Sequence, residues 1–332
     1  MAGNEIRFGI VGLGVGAGRA KIAANTPGAK LICVCDLREE NVKKFADENG
    51  CDWTTNYESM IARDDIDAVG VFTPSGTHAD FAIAAIKAGK HAFTTKPMDI
   101  RVEKCDELID TAEEAGAIIA VDFGQRYSAV NQKVHKAIQS GRLGKIILGD
   151  LRMKWYRAQS YYDGGSPPGW RSRTGTEGGS SANQGVHSID LFQWFLGPVK
   201  SVYGKSGTFT HEIETEDCSV GVLEFQSGAF GVIQTTTASY PSLGTAIEIT
   251  GANGTLSLRD SKIDLYKCQD NENPSLDEFQ IDPNQPKNII EDMVSAITKG
   301  TPVTVDGIEG RKSVEIFCAM YESAQKGIPV EL

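Results

Sequence analysis

The segment Gly178-Gly179-Ser180-Ser181-Ala182-Asn183-Gln184-Gly185-Val186-His187-Ser188-Ile189-Asp190 sets an amide, an imidazole and a carboxylate behind a pair of glycines. Read as one helix running to Leu196 at 3.6 residues per turn, it puts Asn183, His187 and Asp190 on one face. Gly185, Ile189, Phe192 and Leu196 fall on another face, which packs inward. An imidazole titrates near neutral pH, so His187 suits proton transfer, and Asp190 one turn later would orient its ring or steady its cation. A helical histidine by itself is more often a hydrogen-bonded structural residue; the polar stripe is what singles this one out. A second reactive group stands in Thr94-Thr95-Lys96-Pro97. A lysine fixed by a proline just past a strand end is a cation able to stabilise developing oxyanion charge.

A third group of residues, near the N-terminus, supplies a place for a cofactor. Ile6–Val11 is a short apolar run that ends on Gly12-Leu13-Gly14-Val15-Gly16-Ala17. That is the strand–turn–helix context of a dinucleotide fingerprint. Gly12 allows the tight turn, Gly14 lets backbone approach a diphosphate, and Ala17 takes the small-residue place where helix meets strand. The helix is expected to begin near Val15, with Gly16 in its first turn and its free N–H groups aimed at the phosphates. Lys30–Cys35 reads as a second buried strand, and Asp36 ends it where an acid can hold a ribose 2′-hydroxyl. Asp36 therefore selects NAD over NADP, whose 2′-phosphate would meet a carboxylate; Arg38 is the one feature that could admit that phosphate.

The elements that must position these residues alternate through the first third of the chain. Helices are expected near Glu39–Asn49, Tyr57–Ala62, Ala79–Ala88 and Glu103–Ala115, with strands at Ala68–Phe72, His91–Phe93 and Ile118–Val121. Thr73-Pro74-Ser75-Gly76-Thr77-His78 is a loop at the carboxyl end of a strand, where open sheets bind ligands, so Thr73, Pro74, Ser75 and His78 join the cofactor residues. Lys96 lies on the same rim, and so does Gln125. The pattern then changes. After a helix at Ala129–Ser140, strand-like runs recur from Lys145 to Cys268 with short Gly- or Asn-containing turns, which implies a large, mostly antiparallel sheet. Helices near Pro286–Thr298 and Ile308–Ser323 close the chain. The polar stretch Gln269–Asn288 is the segment expected to move most. The fold class is therefore an α/β Rossmann domain, a doubly wound parallel sheet over 1–125, joined to an α+β domain over 126–332. The last helix has the option of packing back on the first domain.

Length and composition bound the rest. A chain of 332 residues suits two domains with a sizeable core. Its formal charge of −11, from 33 basic and 44 acidic residues, comes with no basic block. Nucleic acid and anionic membranes are poor partners for such a surface. The seven cysteines show no Cys-x-x-Cys pair, which reads as reduced thiols; Cys33 and Cys35 share one face of the second strand as core residues. With no membrane span and no signal peptide expected, the chain is assigned to the cytoplasm. No cluster has metal-ligand spacing, so no metal is expected. No Gly-x-Ser-x-Gly elbow marks an esterase. Arg126, Tyr161, Trp170 and Arg171 are candidates to line a polyol pocket, with aromatic faces on sugar C–H groups and guanidinium groups on hydroxyls or a carboxylate. His91 and His135 read as structural.

In Gly12-x-Gly14, Thr73-Pro74…His78, Lys96-Pro97, Gly178-Gly179…Gly185-x-His187-x-x-Asp190 and Gly310…Ala319-x-Tyr321-x-Ser323, the sequence resembles the glucose–fructose oxidoreductase/inositol dehydrogenase (Gfo/Idh/MocA) superfamily over nearly its whole length. The resemblance implies an N-terminal Rossmann domain, a C-terminal sheet whose outer face often mediates a homodimer or homotetramer, and a sugar or polyol substrate lying between the domains beside the nicotinamide. It implies NAD-dependent hydride transfer at a secondary hydroxyl or keto group of a sugar, sugar acid, glycoside or cyclitol. In that reading His187 is the acid/base, Lys96 stabilises the alkoxide and Asn183 hydrogen-bonds a sugar hydroxyl. Relatives also include redox-neutral enzymes that act through a transient keto-sugar, and non-catalytic NAD sensors. Two departures stand out. The common Glu-Lys-Pro is Thr95-Lys96-Pro97 here, and Asn183 replaces the commoner Asp, as in an Asn-Gln-Gly-x-His subgroup.

Overall fold

A computed structural model of the chain describes residues 5–271 and 273–332. In chain order the elements begin with β1 (Ile6–Val11), α1 (Gly16–Asn25), β2 (Ala29–Cys35), α2 (Glu39–Asn49), β3 (Asp52–Thr54), α3 (Tyr57–Ile61) and β4 (Ala68–Val71). They continue through α4 (His78–Lys87), β5 (His91–Thr95), α5 (Val102–Ala115), β6 (Ile119–Asp122) and α6 (Ala129–Gln139). Next come β7 (Ile146–Lys154), α7 (Gln159–Asp163), a π-helical turn over Ser180–Gly185 and α8 (Val186–Leu196). Then follow β8 (Val199–Gly207), β9 (Cys218–Phe225), β10 (Phe230–Thr236), β11 (Gly244–Gly251), β12 (Gly254–Arg259) and β13 (Lys262–Cys268). The chain ends with α9 (Ile289–Lys299), α10 (Gly307–Lys326) and β14 (Val330–Glu331).

The chain divides into two compact units, Met1–Gly124 with Pro286–Arg311, and Gln125–Gln285 with Lys312–Leu332. This differs from a simple cut after residue 125. Gln125 belongs to the second unit, and the C-terminal stretch Pro286–Arg311 belongs to the first. The reason is packing: Ile289, Ile290 and Met293 of α9 join the core of Phe8, Ile10, Ala20 and Leu31. Val121 N–H also donates to Val305 O at 2.9 Å, tying β6 to the segment before α10.

In the first unit the sheet runs β3-β2-β1-β4-β5-β6, with every pairing parallel. That is the doubly wound order, whose direction reverses between β1 and β4. Parallel strands covered on both faces read as continuous apolar runs, and β4 (Ala-Val-Gly-Val) is buried throughout. The crevice past the carboxyl ends of β1 and β4 is where such a sheet holds a ligand.

The second unit carries an eight-stranded sheet in the order β13-β12-β11-β7-β10-β9-β8-β14. Among the described residues of this sheet only β7 and β10 pair in parallel, Leu148 opposite Phe230 and Lys154 opposite Thr236; the other pairings are antiparallel. Its inner face is made to receive helices. A Cβ on Gly149 would lie 2.5 Å from Leu196 and 2.7 Å from Phe192 of α8, and one on Gly204 would lie 2.4 Å from the Met320 carbonyl of α10. Ile189, Phe192 and Phe195 are fully buried there, each worth about 1.5–3 kcal/mol of apolar burial. On the outer face Leu148, Val220, Val222 and Phe230 stay exposed. Among the described residues of 269–288 there is a short helical turn, Leu276–Glu278. It is tied to α6 by Lys133–Asp277 at 2.7 Å and to the following loop by Arg142–Glu278 at 2.6 Å.

Candidate functional site

The glycine turn is built from backbone. Gly12 has φ +87° and donates its N–H to Cys35 O at 2.8 Å. A Cβ there would lie 2.4 Å from Phe72 O, and one on Gly16 would lie 2.9 Å from the Phe72 side chain. A Cβ on Gly14 would meet nothing within 4 Å. Two glycines thus bring β1, α1 and β4 together, while the third keeps space open. Val15 is exposed and Ala17 packs on the core, as the small-residue position requires. α1 starts at Gly16 and has no side-chain cap, which leaves its first N–H groups available to phosphate oxygens.

Asp36 closes this pocket. Its carboxylate accepts from Leu13 N–H at 2.8 Å, Arg38 N–H at 3.0 Å and Arg38 Nε at 3.1 Å. Burial, which would raise its pKa, is outweighed by the Arg38 and Leu13 hydrogen bonds, so the group is held below the usual carboxylate range. Arg38 is thereby engaged with Asp36. The open space at Gly14, the uncapped helix start and an ionised Asp36 fit a dinucleotide with a free 2′-hydroxyl.

Thr73, Pro74 and Ser75 follow β4, where Thr77 Oγ1 lies 2.8 Å from Thr73 Oγ1 and donates to Pro74 O at 2.7 Å. His78 is corrected from its expected role. It is 1% exposed, with Nδ1 2.7 Å from Pro97 O and Nε2 2.7 Å from Thr73 O. The ring braces the loop after β4 against the loop after β5 rather than presenting an edge to a ligand. Buried Asp99 adds a second brace, accepting from Ile100 N–H at 2.8 Å and Arg101 N–H at 3.1 Å, while Arg101 Nη2 reaches Gly76 O at 3.1 Å. Lys96, half-buried, extends from this doubly held loop.

In the second unit the reactive segment is held by side chains. The chain enters it through Gly179 at φ +87°, where a Cβ would lie 2.7 Å from Glu216 O. Glu216 accepts from Ser180 Oγ at 2.6 Å, Ser181 N–H at 2.8 Å and Tyr321 Oη at 2.8 Å. Tyr321 Oη also meets Gly178 O and accepts from Ala182 N–H at 3.3 Å. Burial pushes the Glu216 carboxyl up to about 7, against the hydrogen bonds from Ser180, Ser181 and Tyr321. Burial also raises Tyr321 well above its ordinary value.

The segment is not an α-helix from its start, so the expected 3.6-residue face does not carry through it. Ser180–Gly185 is a π-helical turn and α8 begins at Val186; such wide turns recur at functional sites. Asn183 Nδ2 donates to Glu177, and Asn183 Oδ1 accepts from Tyr161 Oη at 3.1 Å and Gln184 Nε2 at 2.5 Å. His187 lines a cavity of about 210 Å³ with Gln125, Asn131, Trp155, Leu191 and Ser261. Gln125 thus shares a wall with His187 in the second unit. Both oxygens of Asp190 accept from Arg126, from Nε at 2.8 Å and from Nη2 at 2.7 Å. Arg126 is likewise corrected from a substrate residue. It is 2% exposed and stacks 4.5 Å from the Trp194 ring, so its guanidinium is a buried strut of the fold.

Tyr161, Trp170 and Arg171 do come together, with Arg171 Cζ 4.7 Å from the Tyr161 ring and 4.6 Å from the Trp170 ring. His135 stacks on Trp194 at 4.0 Å, and His91 Nδ1 accepts from Ile118 N–H at 3.0 Å, both structural. Sequence reasoning missed Glu216, Glu177 and Arg157. The first two are acids in polar loops with no periodic signal, and Arg157 ends a strand pattern like any solvated residue. Tyr321 and Gln184 stood inside quoted motifs without a role.

A parallel sheet in the 3-2-1-4-5-6 order with a glycine turn and an acid after β2 defines a dinucleotide-binding Rossmann fold. Comparison with known proteins agrees. Residues 6–123 match the oxidoreductase family with an NAD-binding Rossmann fold, and 131–257 match the GFO/IDH/MocA C-terminal domain. The WlbA dehydrogenase from Bordetella pertussis, solved with NADH and UDP-GlcNAcA, is 32% identical with a TM-score of 0.90 and 99% of each chain covered. The scyllo-inositol 2-dehydrogenase (NAD(+)) of Bacillus subtilis (strain 168) is 26% identical over 99% of this chain and 97% of the relative. The D-glucoside 3-dehydrogenase of Escherichia coli (strain K12) is 25% identical over 100% and 99%. The chain belongs to the Gfo/Idh/MocA oxidoreductase family, and its cofactor is NAD.

Proposed function

We propose that this chain oxidises a secondary hydroxyl of a sugar or sugar derivative, and reduces the ketone in reverse, with Lys96, Asn183 and His187 serving one turnover. The observation that carries the reading is His187 on a cavity wall, in a helix start that Glu216 and Tyr321 hold fixed. Bound NAD⁺ supplies the hydride acceptor. The His187 imidazole takes the hydroxyl proton, the Lys96 ammonium stabilises the alkoxide as it forms, and Asn183 fixes a neighbouring hydroxyl. Gly12, Gly14, Val15, Gly16, Ala17, Asp36, Thr73, Pro74, Ser75 and Gln125 hold the dinucleotide in this reading, and Trp170 borders the reacting sugar. The relative solved with UDP-GlcNAcA and the glucoside dehydrogenase support a glycoside or sugar nucleotide as the substrate class.

The test is NADH formation with UDP-GlcNAcA, methyl glucoside and scyllo-inositol. His187→Ala and Lys96→Met should each lower kcat about 10²–10⁴-fold while the Kd for NADH stays unchanged. Near-normal turnover in either variant overturns its role. We further infer a homodimer or homotetramer through the outer sheet face, supported by the cross-strand neighbours Leu148 and Phe230, and Tyr203 and Val222, which are all exposed. Sedimentation of Val222→Glu as a monomer would support it; a monomeric wild type would refute it.

A further inference from the structure

Arginines in this chain have carboxylate partners almost everywhere, at distances up to 3.9 Å. Among the described residues, Arg157, Arg171 and Arg173 have no such partner, although the formal charge of the whole chain is −11. Two of them share one aromatic ring. Arg157 Cζ lies 5.4 Å from the Tyr161 ring centre and 5.1 Å from that of Trp155. Arg171 Cζ lies 4.7 Å from Tyr161 and 4.6 Å from Trp170. A guanidinium stacked on an aromatic face is oriented while its edge N–H groups remain able to donate.

The same tyrosine is wired to the reactive segment. Its hydroxyl donates to Asn183 Oδ1 at 3.1 Å and accepts from Gln184 Nε2 at 2.8 Å, and Gln184 Oε1 lies 3.4 Å from Arg157 Nη2. Nearby carboxylates are occupied elsewhere, Glu177 with Asn183 and Gly178 N–H, Glu214 with Thr174 N–H at 3.1 Å. Two cations are therefore held half-buried beside the amide that handles the substrate, and among the described residues neither is in an ion pair with a carboxylate.

We propose that Arg157 and Arg171, stacked on Tyr161, form the recognition site for an anionic group on the substrate, a carboxylate or phosphate oxygen pair that meets their planar forks. This rests on the reading that Asn183 and His187 handle the sugar. It makes charge, rather than the hydroxyl pattern alone, the feature by which the enzyme chooses its substrate.

Calorimetric titration of the NADH-loaded enzyme tests this with probes that separate the two sources of charge: N-acetylglucosamine, glucuronic acid, UDP-N-acetylglucosamine and UDP-GlcNAcA. The wild type should bind at least one anionic probe far more tightly than the neutral sugar. Arg157→Met and Arg171→Met should each weaken that probe about 10–100-fold, several times more than they weaken N-acetylglucosamine, leaving the Kd for NADH unchanged. Loss confined to glucuronic acid and UDP-GlcNAcA assigns the site to the carboxylate; loss that includes UDP-N-acetylglucosamine assigns it to the diphosphate. Arg→Lys at both positions should restore part of the affinity, which separates charge from packing. Equal binding of neutral and anionic probes by the wild type overturns the proposal, as does a uniform loss for all probes in the variants. A protein that shows the anion preference but reduces no NAD⁺ would overturn the catalytic reading and leave this one standing.

Discussion

The turn at Gly12–Gly16 and the turn at Ser180–Gly185 both lead a loop into a helix that carries function, and they are built by different means. The first is shaped by what its glycines lack: Gly12 passes 2.4 Å from Phe72 O in the position a Cβ would take, and Gly14 faces open space. The second is shaped by what reaches it from far along the chain. Glu216 and Tyr321 supply the hydrogen bonds that hold its first residues. A site made of backbone tolerates few substitutions inside it, whereas a site made by remote side chains is adjustable from outside.

Substitution of Gly12 by Ala should break the contrast most severely. A left-handed residue forced against a carbonyl costs roughly 4 kcal/mol, read as a lower midpoint in urea unfolding. Gly14→Ala should leave that midpoint unmoved while weakening NADH; equal destabilisation by both would dissolve the distinction between a packed and an open glycine.

Glu216 gives the next largest effect. Its carboxyl sits at about 7 in the folded chain against an ordinary 4.5, so the unfolded chain gives up this proton first as pH rises. Its contribution to stability is greatest below about 4.5, declines through the window, and reaches its full penalty above about 7. The total is on the order of 3 kcal/mol. Glu216→Gln cannot ionise, so the stability difference between wild type and variant should shift by that amount across the window. A pH-independent difference would refute it.

Tyr321→Phe should cost about 1–3 kcal/mol by leaving Glu216 and Ala182 N–H short of a partner, and should lower kcat more than it raises KM. An unchanged kcat would show that the network holds the fold and not the reactive segment. Asp36→Ala removes the charge that opposes a 2′-phosphate and releases Arg38. The Kd ratio of NADPH to NADH should fall about tenfold, ~1.4 kcal/mol; an unchanged ratio would place cofactor selection elsewhere.

The same contrast explains what the sequence made legible. The glycine turn, Asp36 and the parallel sheet could be read because local rules, φ, β-branching and alternation, fix them within a few residues. The Asn183–His187 spacing misled because a periodicity of 3.6 was carried into a segment that is π-helical, and nothing in Ser-Ser-Ala-Asn-Gln-Gly marks the extra residue. Arg126 and His78 looked available because both follow strands on the expected rim. Their burial is decided by Asp190, and by Thr73 O and Pro97 O, partners that no window around either residue contains. Glu216 could not be anticipated at all, since an acid in Glu214-Thr-Glu216-Asp217 reads as solvated.

The placement of α9 in the core of Phe8 and Leu31 also bears on how the polypeptide is made. On the ribosome the nucleotide half is translated first, yet its hydrophobic interior stays incomplete until Ile289, Ile290 and Met293 emerge. A nascent chain halted after Gln285 would hold a full glycine turn over an unfinished interior, exposed to chaperones until α9 has been made.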